Sequence, residues 1–228
     1  MQIEAACTIA ILVALAAVST AMYLKKTIVP TEFGMVDRVA LFEEIHWTSG
    51  TLLFFECAPE INVVLGTKWS HVSMVVEGEK EPLSVDITPI KNSVFAEPLR
   101  TVVLRELSNG QHRLAIKQLC CERSPARKLR EFSDECVRQG IQYRHDHWRP
   151  TFGRCMRVLD ISPARREGFF FCSDFVATAL QRAGVLPGSI DCAEMLPPDL
   201  ARDDLPTMPG YAYEPLTFLR MRPPKKNA

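Results

Sequence analysis

The chain carries no surplus of either charge: 27 Lys+Arg stand against 27 Asp+Glu in 228 residues. Without a basic excess there is no general attraction for a phosphate backbone, so no nucleic-acid partner is expected. Glycine is sparse, with 11 against 16 prolines, which points to many loops of fixed shape. No internal repeat or low-complexity tract occurs, and this leaves no sign of a repeat array. There is also no Cys-x-x-Cys pair among the eight cysteines, Cys7, Cys57, Cys120, Cys121, Cys136, Cys155, Cys172 and Cys192. Their even number would allow a disulfide framework, but the adjacent Cys120 and Cys121 pair awkwardly. A chain of this size with 47% apolar residues has core enough to fold without staples. Most of the cysteines are therefore read as reduced thiols packed as small apolar groups.

What is present begins with an uncharged run. Ala5 to Leu24 has no charged side chain, and Lys25 and Lys26 follow at once. About 20 apolar residues rise roughly 30 Å as a helix, the thickness of a bilayer's hydrocarbon core. A cleaved signal peptide is the alternative, with a break near Ser19 or Ala21, but Met1-Gln2-Ile3-Glu4 lacks the usual basic start. The reading preferred is a single-pass anchor in the membrane lipid bilayer over residues 1–26. Lysines on its C-terminal flank would keep the soluble part on the cytosolic side, which agrees with reduced thiols.

Pro30 and Gly34 mark a linker, and Asp37 to His46 has the spacing of a short helix, so 27–48 is taken as linker and helix. Thr51 to Phe55 reads as a buried strand, Trp69 to Glu77 as a second and Leu83 to Thr88 as a third. Arg100 to Leu107 and Arg113 to Leu119 are expected to form a further strand pair joined by Asn109-Gly110. Ser124-Pro125 opens an amphipathic helix that Gly140 stops, and Cys172 to Ala183 forms another closed by Gly184. The segment 201–228 is a proline-rich extension in which Leu216 to Met221 could return as an edge strand. Strands first and helices after describe an α+β domain over 49–200.

Two residues stand out chemically. Cys172 follows the aromatic run Phe169-Phe170-Phe171 and falls in the first turn of its helix, on the face shared by Phe175, Val176, Ala179, Leu180 and Ala183. Unpaired N–H groups and the helix dipole at that end favour a thiolate, the reactive form of cysteine. His71 opens the otherwise β-branched segment Val72-Ser73-Met74-Val75-Val76, an out-of-pattern place for an imidazole unless it serves as a base. After the turn near Gly78 the return strand brings Asp86 roughly opposite, as the acceptor that would orient the ring. A core thiol and a core histidine are the bland alternatives.

These segments carry a resemblance. Ser49-Gly50-Thr51-Leu52-Leu53-Phe54-Phe55 resembles the first strand of NlpC-like peptidases, and Ser70-His71-Val72-Ser73-Met74-Val75 resembles their histidine strand. Ser84-Val85-Asp86-Ile87 is similar to the next strand, which carries the third polar residue. The cysteine helix Phe171-Cys172-Ser173-Asp174-Phe175-Val176-Ala177 comes last instead of first, as in the circularly permuted branch. That branch includes YiiX-like amidases and lecithin:retinol acyltransferase relatives. Pro198-Asp199-Leu200 resembles a further element found there. Two positions depart from the pattern: Thr51 replaces an acid, and Asp86 stands where Glu, His or Asn is commoner.

The resemblance implies a permuted papain-like antiparallel sheet packed against helices, here behind an N-terminal transmembrane helix. It implies a cysteine hydrolase or acyltransferase in which Cys172 attacks an amide, peptide or lipid-ester bond, with His71 as base and Asp86 as its orienting acid. Tyr143 is expected to line the substrate cleft, together with Trp69, Ser70 and Ser173 beside the two reacting groups. No cofactor is expected. His145-Asp146-His147-Trp148 could touch a metal, but no further ligands are spaced to complete a site. The rival from another class is a catalytically idle interaction or virion-structural protein of the same fold.

Overall fold

Leu52-Leu53-Phe54-Phe55 is apolar at every position because both faces of its strand are covered. In the computed structural model, which describes residues 38–56, 69–108, 113–144 and 168–221, this strand (β2, Leu52–Phe55) lies near the middle of a seven-stranded sheet. The others are β1 (Val39–Leu41), β3 (His71–Val76), β4 (Leu83–Ile87), β5 (Val94–Pro98), β6 (Leu114–Lys117) and β11 (Thr217–Arg220). Their order across the sheet is β1-β11-β6-β2-β3-β4-β5. Two small two-stranded sheets complete the strands. One joins β7 (Leu119–Cys121) to β10 (Tyr211–Tyr213), the other β8 (Gln142–Tyr143) to β9 (Phe169–Phe170). Helices α1 (Leu99–Ser108), α2 (Ala126–Arg138), α3 (Cys172–Ala183) and α4 (Pro197–Ala201) follow in chain order.

Alternation along the strands sorts the core into two layers. Leu52, Phe54, Val72, Met74, Val76, Val85 and Ile87 meet Leu129 and Phe132 of α2 and Phe175, Val176 and Leu180 of α3. Leu53, Phe55, Val75, Leu114 and Ile116 meet Leu99, Val102 and Val103 of α1, with Phe42 and Leu219. The reducing-thiol reading concerns five described cysteines, Cys120, Cys121, Cys136, Cys172 and Cys192, all of which are free.

The architecture is α+β, with several corrections to the expected fold class. The sheet is mixed rather than antiparallel, since β1 runs parallel to β11 with Val39 against Phe218. Among the described residues no helix is long and apolar enough to cross a membrane; the longest, α2, has 13 residues, against about 20 needed. The N-terminal transmembrane helix expected over residues 1–26 is thus no part of the described fold, because that uncharged stretch lies outside the described residues. Arg100 to Leu107 is helical, not a strand. Its Val102-Val103-Leu104 run suggests β structure, but the buried positions Leu99, Val102 and Val103 recur at helical spacing and Leu104 faces out. The segment expected as a helix before residue 46 is β1 followed by a 3-10 turn, Phe42–Glu44, because pairing with a distant strand outweighs local spacing. Thr217–Arg220 is flanked on both sides, by β1 and β6, and is no edge. The Asn109-Gly110 turn lies outside the described residues.

One position in this core is unusual. Lys117 is fully buried where β6 faces Leu52. Its ammonium donates to the carbonyl of Leu200 at 3.4 Å and to that of Arg202, and it lies 5.5 Å from the Tyr213 ring centroid. It thereby holds the C-terminal end of α4, where carbonyls lack intrahelical partners. Burial pushes its pKa down to about 8, against the opposing pull of Asp203 and Asp204. A lysine whose folded pKa is depressed favours the neutral form, so the cost of its charge is present below the folded value and relieved above it. The stability of the wild type relative to Lys117→Met is therefore expected to rise between about pH 8 and pH 10.5. Denaturant unfolding at several pH values across that window measures the difference, and a flat difference would contradict the placement of the charge.

Candidate active site

Cys172 owes its position to the way β9 runs into α3. Phe171 is extended, with φ −84° and ψ 169°, and offers no side-chain cap to the helix that starts at Cys172. The first N–H groups and the positive end of the dipole therefore converge near the sulfur. Phe175 fixes the helix below, stacked on Phe132 at 5.6 Å and edge-on to Phe170 at 6.0 Å between centroids. At the far end Gly184 takes φ 82° and returns its N–H to Leu180 and Gln181, the left-handed stop that glycine supplies without strain. Cys172 itself is only 6% exposed.

His71 and Asp86 come from neighbouring strands. The register of β3 and β4 pairs Met74 with Val85 and Val75 with Ser84, which carries on to set Asp86 across from Ser73. His71 is thus not directly opposite Asp86 but two residues along, and the pair meets on the diagonal. The ring Nε2 and Asp86 Oδ2 are 2.8 Å apart, with side-chain exposures of 18% and 12%. The other carboxylate oxygen accepts the N–H of Ile87 at 2.6 Å, and the Phe55 ring packs 5.2 Å from the imidazole. Burial alone would lower the histidine's pKa. The charges of Asp86 and Cys172, and hydrogen bonding to both, override it and hold the ring well above the usual imidazole value. Residues 71, 86 and 172 therefore act on one another at the end of the β3–β4 hairpin.

Tyr143 joins this group. β8 runs parallel to β9, with Tyr143 beside Phe170, and its ring meets Phe171 edge-on at 5.7 Å. Burial, then the nearby charges of Cys172, Asp174 and Asp86, push the phenol's pKa upward, so the hydroxyl keeps its proton. The other three expected lining residues have different surroundings. Trp69 is 3% exposed and packs against Phe54 and Phe218 in the core. Ser70 donates through both N–H and Oγ to the Phe55 carbonyl. Ser173 donates to Met195 O at 2.7 Å, tying the first turn of α3 to the 3-10 turn Cys192–Glu194.

Besides Lys117, two buried charges close to Cys172 and Tyr143 in the chain were not foreseen as interior. Asp174 is 4% exposed in the first turn of α3, and Arg144 is buried with its guanidinium 5.7 Å from the Phe171 ring. Their only local signal was nearness to Cys172 and Tyr143 in the chain. The departure at Thr51 has a structural role: its hydroxyl meets Thr48 Oγ1 at 3.1 Å and accepts from Leu119 N–H at 3.4 Å. Asp199, in the Pro198-Asp199-Leu200 element, accepts the Leu196 N–H at 2.9 Å and so caps α4.

The remaining candidates carry less chemistry. Among the described residues no three His, Cys, Asp or Glu side chains gather to hold a metal. His145 to Trp148 lie outside those residues. On α2, Arg127 and Arg130 sit near Glu131, Asp134 and Glu79 as exposed pairs, which contribute little. Burial, with Glu135, pushes the Cys136 thiol up to about 11. Cys120 is also raised, by desolvation and by Glu214. Both are thereby kept as poorly nucleophilic thiols.

No protein-family model matches the chain, and no curated protein matches it. Among solved structures it is similar to the metalloprotein YiiX of Escherichia coli O157:H7, at 15% identity and a TM-score of 0.43. The match covers 78% of this chain and 98% of that one.

A histidine with a raised pKa stays charged to a higher pH than in the unfolded chain. Its contribution to stability is complete below the unfolded value of 6.5 and is lost as pH rises through the folded one. The His71 ring is accordingly expected to titrate with a midpoint above 6.5 in an NMR titration, and Asp86→Asn should move that midpoint down. An unchanged midpoint in the variant would show that Asp86 does not hold the imidazolium.

Proposed function

We propose that the protein is a thiol hydrolase or acyltransferase acting through an acyl-enzyme on Cys172. One observation carries the reading: the His71 imidazole feels Asp86 and Cys172 at once, by charge and by hydrogen bonding, although the three lie far apart in the chain. With Nε2 engaged by Asp86, Nδ1 is the ring nitrogen left for the thiol. His71 takes the Cys172 proton there, and Asp86 stabilises the imidazolium that results.

The sulfur then adds to a carbonyl carbon of an amide, peptide or ester, and the C=O electron pair moves to oxygen. N–H groups at the start of α3 are suited to that oxyanion. The C–N or C–O bond breaks, and His71 returns its proton to the departing amine or alcohol. The thioester left on Cys172 is released by water, or by an acceptor amine or alcohol, with His71 again taking the proton. The protonated Tyr143 hydroxyl is suited to contact the bound carbonyl substrate.

Iodoacetamide near neutral pH tests the assignment. Cys172 should alkylate well ahead of Cys120 and Cys136, and His71→Ala should slow it about tenfold or more. An electrophilic acyl probe should label the wild type and not Cys172→Ala. Even labelling of all eight cysteines, with no acyl-probe signal, would point instead to an idle member of the fold.

A further inference from the structure

Directly behind the His71–Asp86 pair lies a second polar pair that the proposed chemistry does not use. Ser73 and Ser84 are 0% and 1% exposed, and their Oγ atoms are 2.9 Å apart. Ser73 is two residues on from His71 along β3, and Ser84 two residues before Asp86 along β4. Both bonds therefore run along the same diagonal. The register sets Ser84 across from Val75, so each polar partner is two residues out of direct pairing, in the same sense.

Buried strand positions ordinarily favour Val or Ile, and two desolvated hydroxyls recover only part of their cost by bonding to each other. Neither is needed to fill space, since the same strands use Val75, Val76 and Val85 elsewhere in the core. What the serine bond does supply is a local tie between β3 and β4. The backbone ladder fixes the register, and within it a side-chain bond across the diagonal limits the local twist between the two strands and the swing of the side chains beside it.

We propose that Ser73 and Ser84 are positioning residues that hold Asp86 in line with His71 Nε2. This rests on the reading of His71 and Asp86 as base and orienting acid. The hydroxyl bond braces the diagonal, the carboxylate follows one step further along it, and the imidazole is held charged as a result.

The His71 titration midpoint reads this role directly. Ser73→Ala and Ser84→Ala should each lower it by about half a unit or more. The double variant should lower it no further than either single change, because the two hydroxyls form one bond. Ser84→Thr, which keeps a hydroxyl, should restore it. Val75→Ala, on the same strand but without a hydroxyl, should reduce thermal stability and leave the midpoint in place. Unchanged midpoints in the serine variants, or an equal fall in Val75→Ala, would overturn the proposal. Iodoacetamide labelling of Cys172 on the same samples separates the two readings. A midpoint that responds while Cys172 is inert retires the enzymatic reading alone, whereas a reactive Cys172 with unresponsive midpoints retires the positioning role alone.

Discussion

A hydrogen bond of 2.8 Å between His71 Nε2 and Asp86 Oδ2 joins two strands at the end of the sheet, and the candidate site depends on it. An imidazole so enclosed would otherwise lose its proton, because burial disfavours the charge. The carboxylate reverses that preference and fixes which ring nitrogen remains for the cysteine. From this one contact follow the charge state of the imidazole, its orientation, and which ring nitrogen is turned away from the carboxylate.

The rest of the fold holds that contact and Cys172 in place together. α3 is buried along most of its length, so its N-terminus cannot drift relative to the strands it covers. Ser173 ties the helix start to Met195, Asp199 caps α4, and Lys117 of β6 grips the end of α4. Gly50 completes the frame. Its φ of 92° is a conformation L side chains rarely adopt, and a Cβ there would stand 2.7 Å from the tip of the Leu119 side chain, so a substitution would be strained and would push Leu119 aside. The site is thus fastened from both sides, by a strand diagonal and by a strap of backbone carbonyls.

Much of this could be read from residue order. Leu52–Phe55, His71–Val76 and Leu83–Ile87 are strands close to where their apolar patterns place them, and Pro125 and Gly184 mark helix ends as their chemistry dictates. Where pattern and structure part, a long-range contact is responsible. Val39–Leu41 is extended only because Thr217–Arg220 lies beside it. Val102 and Val103 look like strand residues, yet they fall on the face of a helix that covers Leu53 and Phe55. Trp69 beside the histidine suggests a substrate wall, but its ring fills the core between Phe54 and Phe218.

Residue types and their local spacing were enough to put forward Cys172, His71 and Asp86 as candidates: a histidine opening a β-branched strand is out of pattern, and the cysteine falls in the first turn of a helix. They could not supply the diagonal. Whether Asp86 meets His71 straight across or two residues along is decided by strand shear, which arises only when β3 and β4 pair and twist together. The burial of Asp174, Arg144 and Lys117 is of the same kind. A charge is recognised as interior only when segments distant in the chain have closed over it, and no window of neighbouring residues contains that information.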